Sequence, residues 1–299
     1  MKSQTQQYLS SFFLGLTLSL GMPTVFVPQP IAAQSVSSSR TLEVKRVRGR
    51  VTLRNSFTRV NTGDRLTSTG QGVTTGARSS AVLAVDTGIG TINVAENTSF
   101  FLREFRTTAN GGKATVLEVT KGQVRINVRS FTNPQSKLEV RTPAGIAGVR
   151  GTDFGVAVAD DGQMNVMTNE GAVEVMGVEE SVTVNAGYAS ILVEGEAPTE
   201  PKLFIENLDL GVQPAQLMES GRWEVSGQVD PFNFVWVDDE QVQIEQDGTF
   251  SLDYDRIPET FIKIRVLTPL GSTKTTYAFV RRAEIPFILI NGDRDESEF

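Results

Sequence analysis

From Thr41 onward the chain alternates. In Arg46-Val47-Arg48-Gly49-Arg50-Val51-Thr52-Leu53-Arg54, apolar and small residues take odd positions, and Arg takes the even ones except Thr52. Val124, Ile126 and Val128 alternate with Arg125, Asn127 and Arg129, and Leu138 and Val140 with Lys137, Glu139 and Arg141. A period of two sends successive side chains to opposite faces of a strand, so these are strands with one buried face. Phe154, Val156 and Val158 alternate with smaller residues and predict another half-buried strand. Gly-rich breaks at 69–72, 86–90 and 110–112 separate the strands. No helical period appears between residues 41 and 194.

A weak repeat of the form Gly-x-Val-x-Val runs through this region. It occurs as Gly49-Arg-Val51-Thr-Leu53, Gly122-Gln-Val124-Arg-Ile126 and Gly171-Ala-Val173-Glu-Val175. Repeated short strand units suggest stacked coils, each burying its neighbour. The spacing is irregular, and a compact sandwich stays open. Residues 195–202, with Gly195, Pro198 and Pro201, read as an interdomain linker. Short strands resume over 203–283, around Trp223, Phe234, Phe250, Phe261 and Thr275, at a spacing that suggests a β-sandwich. Residues 284–299 hold an apolar run, Ile285 to Ile290, and an acidic tail. The fold class expected is all-β throughout.

The amino-terminal region departs from this pattern. Lys2, the apolar stretch Phe12 to Leu20, and the small residues Ala32 and Ala33 read as an export signal over residues 1–33. A polar spacer, 34–41, follows. The alternative is an uncleaved membrane anchor, although Pro23 and Pro28 shorten the apolar stretch for a bilayer span. The expected location is the periplasm or cell surface.

Composition narrows the chemistry. The 299 residues include no Cys and no His. Thiolate nucleophiles, imidazole bases, disulfides and His- or Cys-ligated metals are thereby excluded. The net charge of −7 hides a split. Residues 40–150 carry 18 Lys/Arg against 7 Asp/Glu, a net +11, and residues 151–299 carry 9 against 28, a net −19. Such asymmetry bears on partners, or on how the two halves face each other.

The stretch Thr142-Pro143…Ala147-Gly148-Val149-Arg150-Gly151-Thr152-x-Phe154-x-Val156 resembles the signature of the FecR domain, named for a periplasmic iron-citrate sensor. Val47-x-Gly49-x-Val51, Gly63-Asp64-x-Leu66, Ala84-Val85-Asp86-x-Gly88, Leu117-x-Val119-x-x-Gly122-x-Val124, Gly171-x-Val173-x-Val175 and Ala186-Gly187 follow the same pattern in order. The resemblance covers residues 42–194 and implies an all-β, solenoid-like domain. Within it Gly148, Arg150, Gly151, Thr152 and Phe154 read as structural. The phrase from Val237 to Leu252 resembles bacterial immunoglobulin-like modules, which places such a module at 203–283.

No enzymatic constellation is evident. Asp160-Asp161, Asp238-Asp239-Glu240 and Asp253/Asp255 sit at apparent turns or outward positions, where acids solvate a surface. Hydrolysis would need two carboxyls held in a cleft. Asp293-x-Asp295-x-Ser297 begins like a calcium loop but lacks its Gly and closing Glu. The expectation is no enzyme, no metal and no cofactor. Instead Arg46, Arg48, Arg50 and Arg54 would share one face of one strand, with Arg125 and Arg129 outward on another. Neighbouring strands of this kind would make a positive stripe for an anionic envelope glycan or a partner protein. Nucleic acid is not expected, and membrane contact only through the export signal or its uncleaved form. The first functional reading is therefore an exported, non-catalytic binding or scaffold protein. The alternative is a periplasmic sensor or regulator of cell-surface signalling, although only about ten residues precede the apolar stretch, too few for a cytoplasmic domain.

Overall fold

The structure, a computed structural model, describes residues 40–213, 216–255, 261–279 and 289–290. The expected export signal, most of the spacer, most of the apolar run and the acidic tail with its candidate calcium loop lie outside these residues. The described residues are all strand, turn and irregular chain, without a helix, so the expected all-β class holds.

In chain order the first strands are β1 (Leu42–Arg48), β2 (Val51–Leu53), β3 (Arg65–Leu66), β4 (Gly72–Thr75), β5 (Ser80–Val85), β6 (Gly90–Val94), β7 (Ser99–Thr107) and β8 (Lys113–Val128). They continue as β9 (Lys137–Arg141), β10 (Ile146–Val149), β11 (Asp153–Val158), β12 (Met164–Glu170), β13 (Ala172–Met176), β14 (Ser181–Asn185), β15 (Tyr188–Leu192) and β16 (Lys202–Leu203). The 16-residue β8 is the spine. Its first half pairs with β7 and β9, and its second half, from Gly122, pairs with β6 and β11. Two sheets result. Sheet I runs β3-β1-β5-β6-β8-β11-β12-β15-β16, and sheet II runs β2-β4-β7-β8-β9-β10-β13-β14. Both feed one core: Leu42, Leu83, Ile126, Phe154 and Met164 come from sheet I, and Phe100, Leu102, Val140 and Val175 from sheet II, all at 0 % exposure.

The Gly-x-Val-x-Val repeat marks where the chain passes from one sheet to the other. Gly49 lies between β1 and β2, Gly122 inside β8, and Gly171 between β12 and β13. All three have left-handed φ values, 70°, 83° and 81°, which only glycine adopts at little cost. At Gly122 a Cβ would also run into the Thr98 backbone and hydroxyl. The residue after each of the first two corners is tied by a hydroxyl: Arg50 N donates to Ser79 Oγ at 2.8 Å, and Gln123 N to Thr98 Oγ1 at 2.9 Å. Because each corner turns the chain into the facing sheet, coils do not stack in parallel. Pairing is antiparallel in every ladder of the two sheets except β8 with β9. The expected solenoid-like stacking therefore takes the form of two sheets that share strands through bent corners.

The C-terminal part forms β17 (Gly211–Val212), β18 (Gln216–Leu217), β19 (Trp223–Gln228), β20 (Phe234–Val237), β21 (Glu240–Val242), β22 (Thr249–Tyr254), β23 (Phe261–Leu267), β24 (Thr273–Phe279) and β25 (Leu289–Ile290). Strands β17, β18 and β22 flank β19, while β21-β20-β23-β24-β25 form the other sheet. Val225 and Phe250 from the first meet Val235, Val237, Ile262, Ile264 and Val266 from the second in a separate core. This is the two-sheet sandwich that the strand spacing predicts.

Replacing Gly122 with Ala adds left-handed strain to a steric overlap and is expected to cost about 2–4 kcal/mol in urea denaturation. Gly187, with φ 82° and open space around it, is the control, and its Ala variant should lose about 1 kcal/mol. Equal losses at the two sites would show that the corner is not sterically special.

Candidate functional site

The register across sheet I lines up one row on its outer face: Arg46, Val82, Asn93, Arg125, Gly155, Met167 and Ala189, each paired with the next. A parallel row holds Gln123, Ala157, Asn165 and Ile191. The two ends of this face have different fates. The end from β11 to β15 is covered by the C-terminal sandwich, and the end from β1 to β8 is open.

Strand β11 shows this most clearly. Its alternation predicts a half-buried strand, yet all six residues are buried. Phe154, Val156 and Val158 enter the first core. Gly155 and Ala157, on the opposite face, lie under the sandwich. A Cβ on Gly155 would overlap Pro269 O, in the turn that joins β23 to β24. Met167 and Ala189 pack with Phe204, Phe232 and Leu270, and Ala157 and Ala159 with Phe234 and Leu267. Phe204 and Phe232 meet edge to face at 5.9 Å, and each such buried side chain contributes up to about 1.5–3 kcal/mol by leaving water. Two buried amides complete the seam. Gln123 Nε2 donates to Thr268 O at 2.7 Å, and Asn165 Nδ2 to Phe232 O at 3.0 Å.

Residues 195–202 are accordingly not a free linker. Thr199 N bonds Ile191 O at 2.9 Å, Ser190 Oγ donates to Thr199 O at 2.7 Å, and Pro198 is buried. The paired strand β16 then carries the chain into buried Phe204. Among the described residues, an ion pair across the seam joins Glu96 to Arg265, with its charges opposite in sign to the net charges of the two halves.

The expected Arg stripe is not formed as one strand face. The chain changes sheets at Gly49, between Arg48 and Arg50. Arg46 and Arg48 stay on sheet I, Arg50 falls in the corner, and Arg54 stacks on the Phe101 ring of sheet II at 3.8 Å. Arg129 lies past the end of β8 and is exposed. The structure does bring Arg46 and Arg125 together on the open half of the row. They line one cleft of about 480 Å³ with Ser80, Val82, Asn93 and Gln123, walled by Leu270–Ser272 of the sandwich. Of the motif residues, Phe154 is core, Thr152 is buried, Gly151 turns the chain into β11 at φ 138°, Arg150 is exposed, and Gly148 pairs within β10.

Arg125 is itself held. Its Nε and Nη2 donate to the Asp153 carboxylate at 3.0 and 2.7 Å, and Asn169 Nδ2 donates to the same group at 2.9 Å. Burial by itself would raise the Asp153 pKa, but the Arg125 and Asn169 hydrogen bonds and the Arg125 charge outweigh it, and the carboxyl sits below its ordinary value. The hydrogen bond to Asp153 raises the Arg125 guanidinium in turn. A second cleft of about 630 Å³ lies along the seam, lined by Glu96, Lys121, Trp236, Lys263 and Arg265 among others. Four of its charges pair with one another, Arg265 with Glu96 and Lys263 with Asp239, and the Trp236 ring lies under Arg265 at 4.5 Å, while Arg78, Lys121 and Asp160 also line it. Among the described residues no group of three or more acids could hold a metal ion.

Gly155, Gln123 and Asn165 were not singled out by sequence reasoning. The usable signal was the composition of the supposed outward face of β11, where Gly and Ala stand in place of the polar residues that a solvated face carries.

Residues 71–174 match the FecR protein family. That segment runs from the edge of β4 into β13 and includes β11 and the second half of β8. It ends before the sandwich, whose immunoglobulin-like character stays a resemblance. No curated protein matches the chain. Among solved structures, a Parabacteroides distasonis protein described as an anti-sigma factor is similar over 34 % of this chain at 20 % identity, with a TM-score of 0.29. The likeness spans 45 % of that protein's length. A polysaccharide lyase is similar over 81 % of this chain and 39 % of its own, at 8 % identity and a TM-score of 0.18. Likenesses this slight carry no weight for function.

Gly155→Val should lift the 268–272 turn from sheet I. The expected result is a loss of about 1–3 kcal/mol, with proteolytic cleavage appearing between residues 193 and 210, and an unchanged digest would contradict the docking. Asp153→Asn should cost about 1–3 kcal/mol at pH 7 by removing charged hydrogen bonds from a buried group. A carboxyl with a depressed folded pKa stabilises above its unfolded value near 4 and loses that contribution as pH falls through the folded value. The gap between wild type and variant should therefore close below about pH 4. A gap constant from pH 7 to pH 2 would mean that the charge is irrelevant.

Proposed function

We propose that this chain is an exported, non-catalytic sensor or regulator of cell-surface signalling, of the kind that the FecR family represents. The observation that carries the reading is the family match over residues 71–174. The matched segment takes in β5, β6, β8, β11 and β12 of the sheet I face that the C-terminal sandwich half covers, together with strands of sheet II. A regulator needs a surface whose availability can change, and this face has one covered and one open end that meet at Arg125 and Gln123. Export rests on the signal-like residues 1–33. The absence of Cys and His from the sequence agrees with a role in binding rather than bond-making. A rigid platform for an envelope protein is the second reading, supported by the apolar contacts of the seam.

The two readings part in the cell. Deleting the gene and profiling transcripts under envelope stress should shift a small set of genes, restored by the wild-type chain and not by Gly155→Val. Unaltered transcripts with a weakened envelope or lost adhesion would favour the platform and remove the regulator.

A further inference from the structure

The open half of the outer face has a chemistry of its own. The cleft beside the 270–272 turn is lined by two guanidiniums, Arg46 and Arg125, and by no carboxylate. Arg46 is exposed and has no ion-pair partner among the described residues. Arg125 commits Nε and Nη2 to Asp153, which fixes the plane of the guanidinium and leaves Nη1 for another acceptor. An Arg held in this way is preorganised for an oxyanion. Its charge is offset by Asp153 and, from further off, by Glu206 and Glu170, so Arg46 supplies the net attraction.

Two further features narrow the ligand. Gln123, 2 % exposed, lines this cleft as well as the seam cleft and spends Nε2 on Thr268 O. Its Oε1 is buried without a hydrogen-bond partner among the described residues. An unsatisfied buried acceptor is costly and calls for a donor, which a carboxylate alone lacks and a sugar hydroxyl supplies. Val82 and Leu270 add an apolar wall. Oxyanion, hydroxyl and apolar face together describe one class of ligand. We propose that this cleft binds an acidic saccharide, with the carboxylate between Arg46 and Arg125, a hydroxyl directed to Gln123 and a carbon face against Val82 and Leu270. The volume of about 480 Å³ lies within the range of small-ligand sites. Because the wall belongs to the sandwich and the floor to sheet I, the bound sugar acid bridges the two parts. The inference names the ligand of the sensor reading and rests on that reading only for its consequence in signalling.

The test is calorimetric titration of the full chain at low salt with digalacturonate, with lactose and inorganic phosphate as parallel probes. Digalacturonate is expected to bind, more weakly as salt rises, while lactose gives no heat and phosphate binds at least tenfold more weakly. Arg46→Ser, at an exposed position, should reduce the uronate affinity at least tenfold with an unchanged thermal midpoint. No uronate binding, equal binding by Arg46→Ser, or phosphate binding as tight as uronate would each overturn the proposal. Such a result leaves the transcript response untouched. A missing transcript response with intact uronate binding would instead remove the regulator and keep the site.

Discussion

A chain that must cross repeatedly between two facing sheets needs corners where no side chain stands in the way. Gly49, Gly122 and Gly171 are three such corners, where a left-handed φ carries the chain from one sheet to the other. Each places the next apolar pair, such as Val124 and Ile126, on the inner side of its new sheet. A side chain at Gly122 would strike Thr98 and strain the bend through which β8 belongs to both sheets.

The same logic of missing side chains governs the outer face of sheet I. Gly155 and Ala157 let the 268–272 turn settle onto β11, and Phe204, Phe232 and Leu270 seal the approach. The seam is not wholly apolar. Gln123, Asn233 and Arg265 each keep a buried polar atom unpartnered among the described residues, and each such atom disfavours the docked state by about 1–3 kcal/mol. Apolar burial therefore holds the two parts together against this polar cost.

Strand identity was legible because alternation is a local property: Val124, Ile126 and Val128 face inward just as their spacing implies. The Gly-x-Val-x-Val repeat was legible too, but its meaning was not, since a corner and a coil break look alike in one dimension. The Arg positions show the limit. Arg46 and Arg54 lie eight residues apart with matching parity, yet a change of sheet at Gly49 separates them. Arg46 and Arg125 lie 79 positions apart, and only the ladder β1-β5-β6-β8 brings them to one cleft.

The sequence by itself determined that the described chain is built of strands, that its core is held without disulfides, and that no thiol or imidazole chemistry is available to it. Each of these follows from residue type or from spacing along the chain. Which faces of those strands meet water was decided only by the tertiary structure. The covering of Gly155 and Ala157, the folding back of residues 195–202 and the meeting of Arg46 with Arg125 all depend on pairing between distant strands. A period of two assigns a residue to a face but says nothing of what is packed against that face.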